Sequence, residues 1–436
     1  MADVHVETYG DDGLGNGSPD EPYRTIEWAC LFPRVNTGDV VKVGPGSYTP
    51  ASSIEFNRHQ ITLQTKNATT GNARGSYHSL FGASLSSDVV IQGGSANPLI
   101  AIWDDDDIII DGFEITNAAA RGINATGARS IIRNCYIHHC LYGNGLYTWF
   151  WPDGQLLNTR VNNCGTHGGD GGTTHNVYLS TAWDDGILDG CYIHNGGENN
   201  LHVHGNKAAT HAPYTPSDGK NKRNIVRQSI FRDPGSASDF MNTWTSIMEN
   251  CILDNEDWRV LGDTSWAEVR SEDNTFRNNL HINGSGQQLR FYNRIPTAHP
   301  GDNNRCFNSI FLGTTGDGGL RLDGDGNDAG SNYQAIQTSA LETAFFVDEA
   351  VKNFRQKRDA RIWQAGAASF DGESAPTEDI LGTARPGPDA LYDIGPFEDD
   401  FKARIYSIIC NDIQAGDKAN TLGAGTTQRT IQTRRR

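Results

Sequence analysis

The chain lacks any run of apolar residues long enough to span a bilayer. Its first residues, MADVHVETYGDDG, have neither a basic n-region nor an apolar h-region. No signal peptide is visible, so the expectation is a leader removed before the numbering or folding in a cytoplasm. Positive charge is scarce: 36 Lys and Arg face 53 Asp and Glu, for a formal net charge of −17. That balance argues against nucleic acid as a partner and disfavours adhesion to anionic lipid. Only 36% of the 436 residues are hydrophobic, too few for a thick globular core. Eight cysteines are present without a CxxC pair. That spacing in a chain this long speaks against a disulfide framework. There is no HExxH either.

Glycine is abundant instead, with 49 residues, and the chain repeats itself. The stretch HNVYLSTAWDDGILDGCYIHNGGENNLHVHGNK, from His175 to Lys207, holds one full unit and the start of the next. Apolar and polar residues alternate in its short runs, the period of a half-buried strand. Gly and Asn stand between the runs, where tight turns need positive φ. One phrase recurs as IIIDGFEIT (108–116), IIRNCYIHH (131–139), LLNTRVNN (156–163), ILDGCYIHN (187–195), IVRQSIFRD (225–233), IMENCILDN (247–255), TFRNNLHIN (275–283) and RCFNSIFLG (305–313). A period of about 22 to 38 residues with Gly/Asn corners marks a solenoid. The pattern fits an all-β, single-stranded right-handed parallel β-helix. Cys135, Cys191 and Cys251 fall at one repeat position and are expected to stack inward on successive coils as small buried hydrophobes.

Along the chain, residues 1–50 read as an N-terminal cap and first coil, with a capping helix around PYRTIEWACLF. Residues 51–336 read as the β-helix, 337–400 as a closing segment of mixed helix and turn, and 401–436 as a polar C-terminal tail. The start, PYRTI followed by GDVVKVGPGSYTP, resembles that of many bacterial right-handed β-helix repeat proteins of the pectate-lyase-like superfamily. The far end resembles the same group through AFFVDEAVKNFRQK, DILGTARP and YDIGPFE (Tyr392–Glu398). The resemblance covers about residues 1–400 and implies the fold. The group holds polysaccharide lyases, epimerases, and surface and phage proteins, so fold alone does not choose among activities.

A second ladder precedes the repeated phrase in each coil: GINATG (122–127), GLYTWF (145–150), NVYLST (176–181), NLHVHG (200–205), DFMNTW (239–244), QLRFYN (288–293) and GLRLDG (319–324). Alternation sends Ile123, Leu146, Val177, Leu201, Leu289 and Leu320 inward. It sends Tyr147, Trp149, Tyr178, His202, His204, Arg290, Tyr292, Arg321 and Asp323 outward. Aromatic rings offer flat platforms for sugars, and Arg offers paired donors for carboxylates. The structural alternative is packing beneath the long loops of the same coils. Those loops, WFWPDG (149–154), CGTHGGDGGTTH (164–175) and GNKAATHAPYTPSDGKNKR (205–223), sit where they would wall a groove.

Three chemistries suit such a groove. A uronate lyase or epimerase needs a base and positive charge; His202, His204 and Lys207 are the candidate bases, with Arg290 and Arg321 to neutralise. A glycosidase needs two carboxylates at a fixed gap, from Asp184, Asp185, Glu198 and Asp239. A metal hydrolase would draw on His167, Asp170, His175, His202 and His204. Tyr147, Trp149, Tyr178, Tyr292 and Arg321 are the candidate substrate contacts. No cofactor is expected to be required; Asp323, Asp325 and Asn327 have D-x-D-x-N spacing, which leaves a loose calcium site as the alternative. Asp328 and Gln334 at the sixth and twelfth positions exclude an EF-hand loop. The composite expectation is a β-helical virion or surface protein, tailspike- or decoration-like, that engages polysaccharide. In it, 401–436 would serve self-assembly or docking to virion partners. The alternatives are a secreted lyase, epimerase or glycoside hydrolase acting on acidic polysaccharide, and a purely structural solenoid.

Overall fold

The computed structural model describes residues 2–31, 33–56, 58–66, 87–94, 96–166, 174–205, 221–261, 271–284, 288–291, 302–313, 319–323, 326–336, 346–348, 353–356, 365–386 and 392–398. The chain divides into two compact units, Met1–Glu398 and Asp399–Arg436. The second unit, with the tail expected to serve assembly, lies outside the described residues.

Among the described residues, three parallel sheets of twelve, eleven and ten strands run the length of the first unit. Each coil gives one strand to each sheet, so the chain winds as a parallel β-helix. The eight repeated phrases supply the first two sheets. In ILDGCYIHN, for example, Ile187–Asp189 joins the first sheet and Tyr192–His194 the second. The residue between the two strands turns the chain with positive φ: Gly112, Asn134, Asn158, Gly190, Gln228, Asn250, Asn278 and Asn308. Gly and short polar side chains such as Asn enter that region most cheaply, and every one of these corners but Gln228 uses one of the two.

The core is thin and continuous. In the first sheet Ile110, Ile132, Leu156, Leu188, Val226, Met248 and Phe276 stack in register and are all fully buried. Each contributes about 1.5–3 kcal/mol by leaving water. In the third sheet the inward residues Ile123, Leu146, Val177, Leu201 and Leu289 are buried as alternation requires, and Leu320 is partly so. Cys135, Cys191 and Cys251 are buried and unbridged. They stack on alternate rather than successive coils. The register places Thr159 between the first two and Ser229 between the last two. Those hydroxyls accept the backbone N–H of Cys135 and Cys191, at 3.3 and 3.0 Å. The corner needs such an acceptor, and a thiol serves it poorly.

Near the N-terminus a short helix, Ile26–Ala29, buries Ile26 and Ala29 against the first coil. The closing segment was expected to mix helix and turn, and only part of it lies among the described residues. Its described residues form short antiparallel strand pairs, Phe346–Asp348 with Asn353–Gln356 and Ser369–Phe370 with Glu373–Ser374. It lies along the outside of the second sheet. There the outward residues Ile230, Ile252, Leu280 and Ile310 form an apolar stripe, covered by Phe346, Ile380, Ile394 and Phe397.

Candidate functional site

The third sheet carries the outward row. Its register runs Asn124, Tyr147, Tyr178, His202, Asp239, Arg259, Arg290 and Arg321, one residue per coil. Coils in a parallel sheet are about 4.8 Å apart, so residues distant in sequence become neighbours. Two positions further along the strands, Trp149, Ser180, His204 and Met241 form a parallel row.

Five of the expected residues meet here: Tyr147, Trp149, Tyr178, His202 and His204. Trp149 is 42% exposed, the most open of them. Tyr147 points outward in register but is buried. Arg121 lies over its ring at 4.1 Å and Tyr178 packs edge-on at 5.4 Å. Burial pushes its hydroxyl up to about 12. Tyr147 therefore supports Tyr178 rather than presenting a face of its own. Tyr178 Oη lies 3.1 Å from His204 Nδ1, with the two rings nearly parallel.

His202 is the centre of the row. Its Nδ1 is 3.3 Å from Asp239 Oδ2. Arg259 grips the same carboxylate with two nitrogens, Nη2 at 2.7 Å from Oδ2 and Nε on Oδ1. Asn199 Nδ2 donates to Asp239 Oδ2 at 3.0 Å and lies 3.3 Å from His202 Nδ1. Burial pushes the Asp239 carboxyl up, but the hydrogen bonds and charges of His202 and Arg259 outweigh it and hold the carboxyl below its ordinary range. His175 stacks on His202 at 4.7 Å. Burial, with the neighbouring His202, drives His175 well below the usual imidazole range, so it is neutral at pH 7.

The arginines differ from the expectation of a locally positive strip. Arg259 pairs with Asp239, Arg290 Nη2 lies 3.8 Å from Asp257 Oδ2, and Arg321 Nε lies 2.6 Å from Asp323 Oδ2. Three guanidinium groups and three carboxylates leave this part of the face near neutral. Asp323 and Asn327 have protein partners as well. The Asn327 carboxamide oxygen accepts from Asn304 N at 2.8 Å and Nδ2 at 3.1 Å. Among the described residues no group of three or more His, Cys, Asp or Glu side chains converges on a metal position.

Lys207, Tyr292 and Asp325, along with His167 and Asp170, lie outside the described residues. Asp184 and Asp185 are off the row. The first accepts the Lys222 backbone N–H at 2.8 Å and the second pairs with Arg223. Glu198 Oε2 is 3.7 Å from His175 Nδ1. Three members of the row, Asn124, Asp239 and Arg259, were absent from the expected contacts. Asp239 entered only as one of four glycosidase carboxylates, and Arg259 did not enter. The signal was present in the alternating Trp258–Leu261, a strand of the coil between IMENCILDN and TFRNNLHIN.

A family model described as a right-handed beta helix region matches residues 84–214. Among solved structures, the chain is similar to pectate lyase Pel9A at 14% identity and a TM-score of 0.59, over 92% of this chain and 97% of that one. It is similar to XylC, determined with xylose, at 12% identity and 0.56, over 91% and 98%. A rhamnogalacturonan lyase follows at 13% identity and 0.50, over 89% and 97%. At these identities the likeness establishes the fold, a right-handed parallel β-helix. No curated protein sequence matches the chain. Among the described residues no helix is long and apolar enough to cross a membrane.

Proposed function

We propose that the outer face of the third sheet binds a polysaccharide chain laid along the solenoid axis. The observation that carries this reading is the unbroken outward row Tyr178, His202, Asp239, Arg259, with exposed Trp149 and half-buried His204 beside it. A strip of rings and hydrogen-bonding groups repeating at about 4.8 Å suits a ligand that is itself a repeat. The paired arginines favour a neutral glycan over an acidic one, because each positive group already has its carboxylate. A virion or cell surface as the setting belongs to the same proposal, and a rigid coil suits either.

Binding to a panel of neutral and acidic polysaccharides, by affinity electrophoresis, tests the reading. Trp149→Ala and Tyr178→Ala are expected to weaken binding of a neutral glycan at least tenfold. Each removes a stacking platform from the strip while the inward core stays intact. Binding unchanged by both substitutions, or no binding to any member of the panel, would overturn it.

A further inference from the structure

We infer that His202 is an acid–base group that hydrolyses ester substituents, such as O-acetyl groups, on the polysaccharide bound to this face, with Asp239 as its positioning residue. The inference rests on the binding reading above and adds a reaction to it.

The geometry is that of a prepared base. His202 has its Nδ1 against a buried carboxylate, 3.3 Å from Asp239 Oδ2. That carboxylate is itself fixed by Arg259 and Asn199. An imidazole oriented through one nitrogen by a carboxylate presents the other nitrogen for proton transfer. His202 Nε2 has no protein partner among the described residues and is not among the buried polar atoms, so it reaches solvent. The side chain is only 13% exposed, which leaves the ring little freedom to turn away. Structural packing alone does not require a carboxamide and a carboxylate, the latter gripped by a guanidinium, to converge on one imidazole edge.

The groups present select the reaction. Glycosidic hydrolysis needs two available carboxylates, but Asp239, Asp257 and Asp323 each stand against an arginine. Elimination from a uronate needs an available cation beside the sugar carboxylate, and each arginine of the row stands against a carboxylate. Hydrolysis of an ester needs one group that acts first as base and then as acid. As water attacks the acyl carbon, its oxygen forms the new bond and its proton passes to His202 Nε2. The acyl carbon–oxygen bond to the sugar then breaks, and His202 returns the proton to the sugar oxygen. Water and ester give a carboxylic acid and a free sugar hydroxyl, with nothing else consumed.

The test uses the full chain with acetylated xylan and 4-nitrophenyl acetate as probes, reading released acetate and nitrophenol. Wild type is expected to release acetate, and His202→Ala and His202→Gln to lose about 100- to 10,000-fold of the rate. Both variants should keep the wild-type melting temperature. Asp239→Asn should lower kcat, and Asp239→Glu, which returns a carboxylate toward the Nδ1 edge of His202, should recover part of it. A merely structural Asp239 would show no such recovery. Polysaccharide binding without acetate release from either probe would overturn the catalytic inference and leave the binding reading standing. Acetate release that survives in both His202 variants would do the same. Absence of binding to any polysaccharide would remove both.

Discussion

At the scale of single residues, His281 shows what an exception inside a ladder costs. It occupies an inward position of the second sheet, between Leu253 and Phe311, where every other coil from Ile115 to Phe311 places an apolar residue. It is fully buried, stacks on Phe311 at 4.5 Å, and neither ring nitrogen has a partner. Burial pushes its pKa down from 6.5 to about 3. The unfolded chain takes up this proton near pH 6.5, whereas the folded chain resists it down to about pH 3. Between those values the unfolded state binds more protons, so stability falls as pH drops, by about 1.4 kcal/mol per pH unit from this one group. His281→Leu should flatten that acid slope, read as urea midpoints at pH 8 and pH 5. The same slope in both proteins would show that the buried imidazole is not its source. The sequence phrase TFRNNLHIN gave no warning of this, because His is polar by type and the alternation alone determines which way it points.

At the scale of elements, the closing segment is held by one buried ion pair and by the corners of the coils. Arg385, fully buried, donates from Nη1 to Glu398 Oε2 at 3.1 Å and to the Asp393 carbonyl at 3.2 Å, and from Nη2 to the Gly395 carbonyl at 2.7 Å. Asp379 Oδ1 accepts the N–H groups of Leu381 and Thr383, and its Oδ2 accepts that of Glu398. The phrases DILGTARP and YDIGPFE are thus two halves of one knot. Corner side chains tie it to the coil: Asn250 donates to the Glu378 carbonyl at 2.7 Å and Asn308 to the Ala367 carbonyl at 2.7 Å. Breaking a buried pair from one side leaves an uncompensated charge, at about 3–5 kcal/mol. Glu398→Gln should therefore loosen the segment locally. Hydrogen exchange should quicken over residues 365–398 and remain slow in the third sheet, which has its own core. Uniform acceleration through the whole β-helix would show that the segment is integral to the coil rather than laid upon it.

The elements also show how much was legible beforehand. The strand–corner–strand phrases announced themselves, since period-two alternation and positive-φ corners are both written in residue type. The lateral seat of the closing segment was not legible. Ile230, Ile252, Leu280 and Ile310 read as ordinary strand residues, and nothing local to them says what covers their outer side. The row of the third sheet was legible at Tyr147, Tyr178 and His202, where the alternating phrase is regular. It slipped at DFMNTW, where the strand is Ser238–Met241 and the next residues leave to pair Thr243–Trp244 with Asn221–Lys222. That slip passed over the following rung and with it Arg259, the partner that fixes Asp239. Nor does residue type reveal that Arg290 arrives already paired, because Asp257 comes from the corner before Trp258–Leu261 rather than from the row.

At the scale of the whole molecule, a net charge of −17 surrounds a face whose own charges nearly cancel. The reach of that surrounding charge depends on salt. The Debye length falls from about 30 Å at 0.01 M to about 8 Å at 0.15 M. A neutral glycan on the third sheet has no charge for either field to act upon, so its Kd is expected to change less than about twofold across this range. An acidic glycan meets the whole acidic body at low salt and only the compensated pairs at physiological salt. Its binding should therefore strengthen as salt rises to 0.15 M, opposite in sign to the behaviour of a cationic groove, where added salt weakens an anionic ligand. Titrating one neutral and one acidic oligosaccharide of equal length at both salt concentrations, by calorimetry, separates the two cases. Tight acidic binding at 0.01 M that decays with salt would mean that arginines of the row release their carboxylates to the ligand. The face would then have to be read as an anion-binding groove rather than a neutral one.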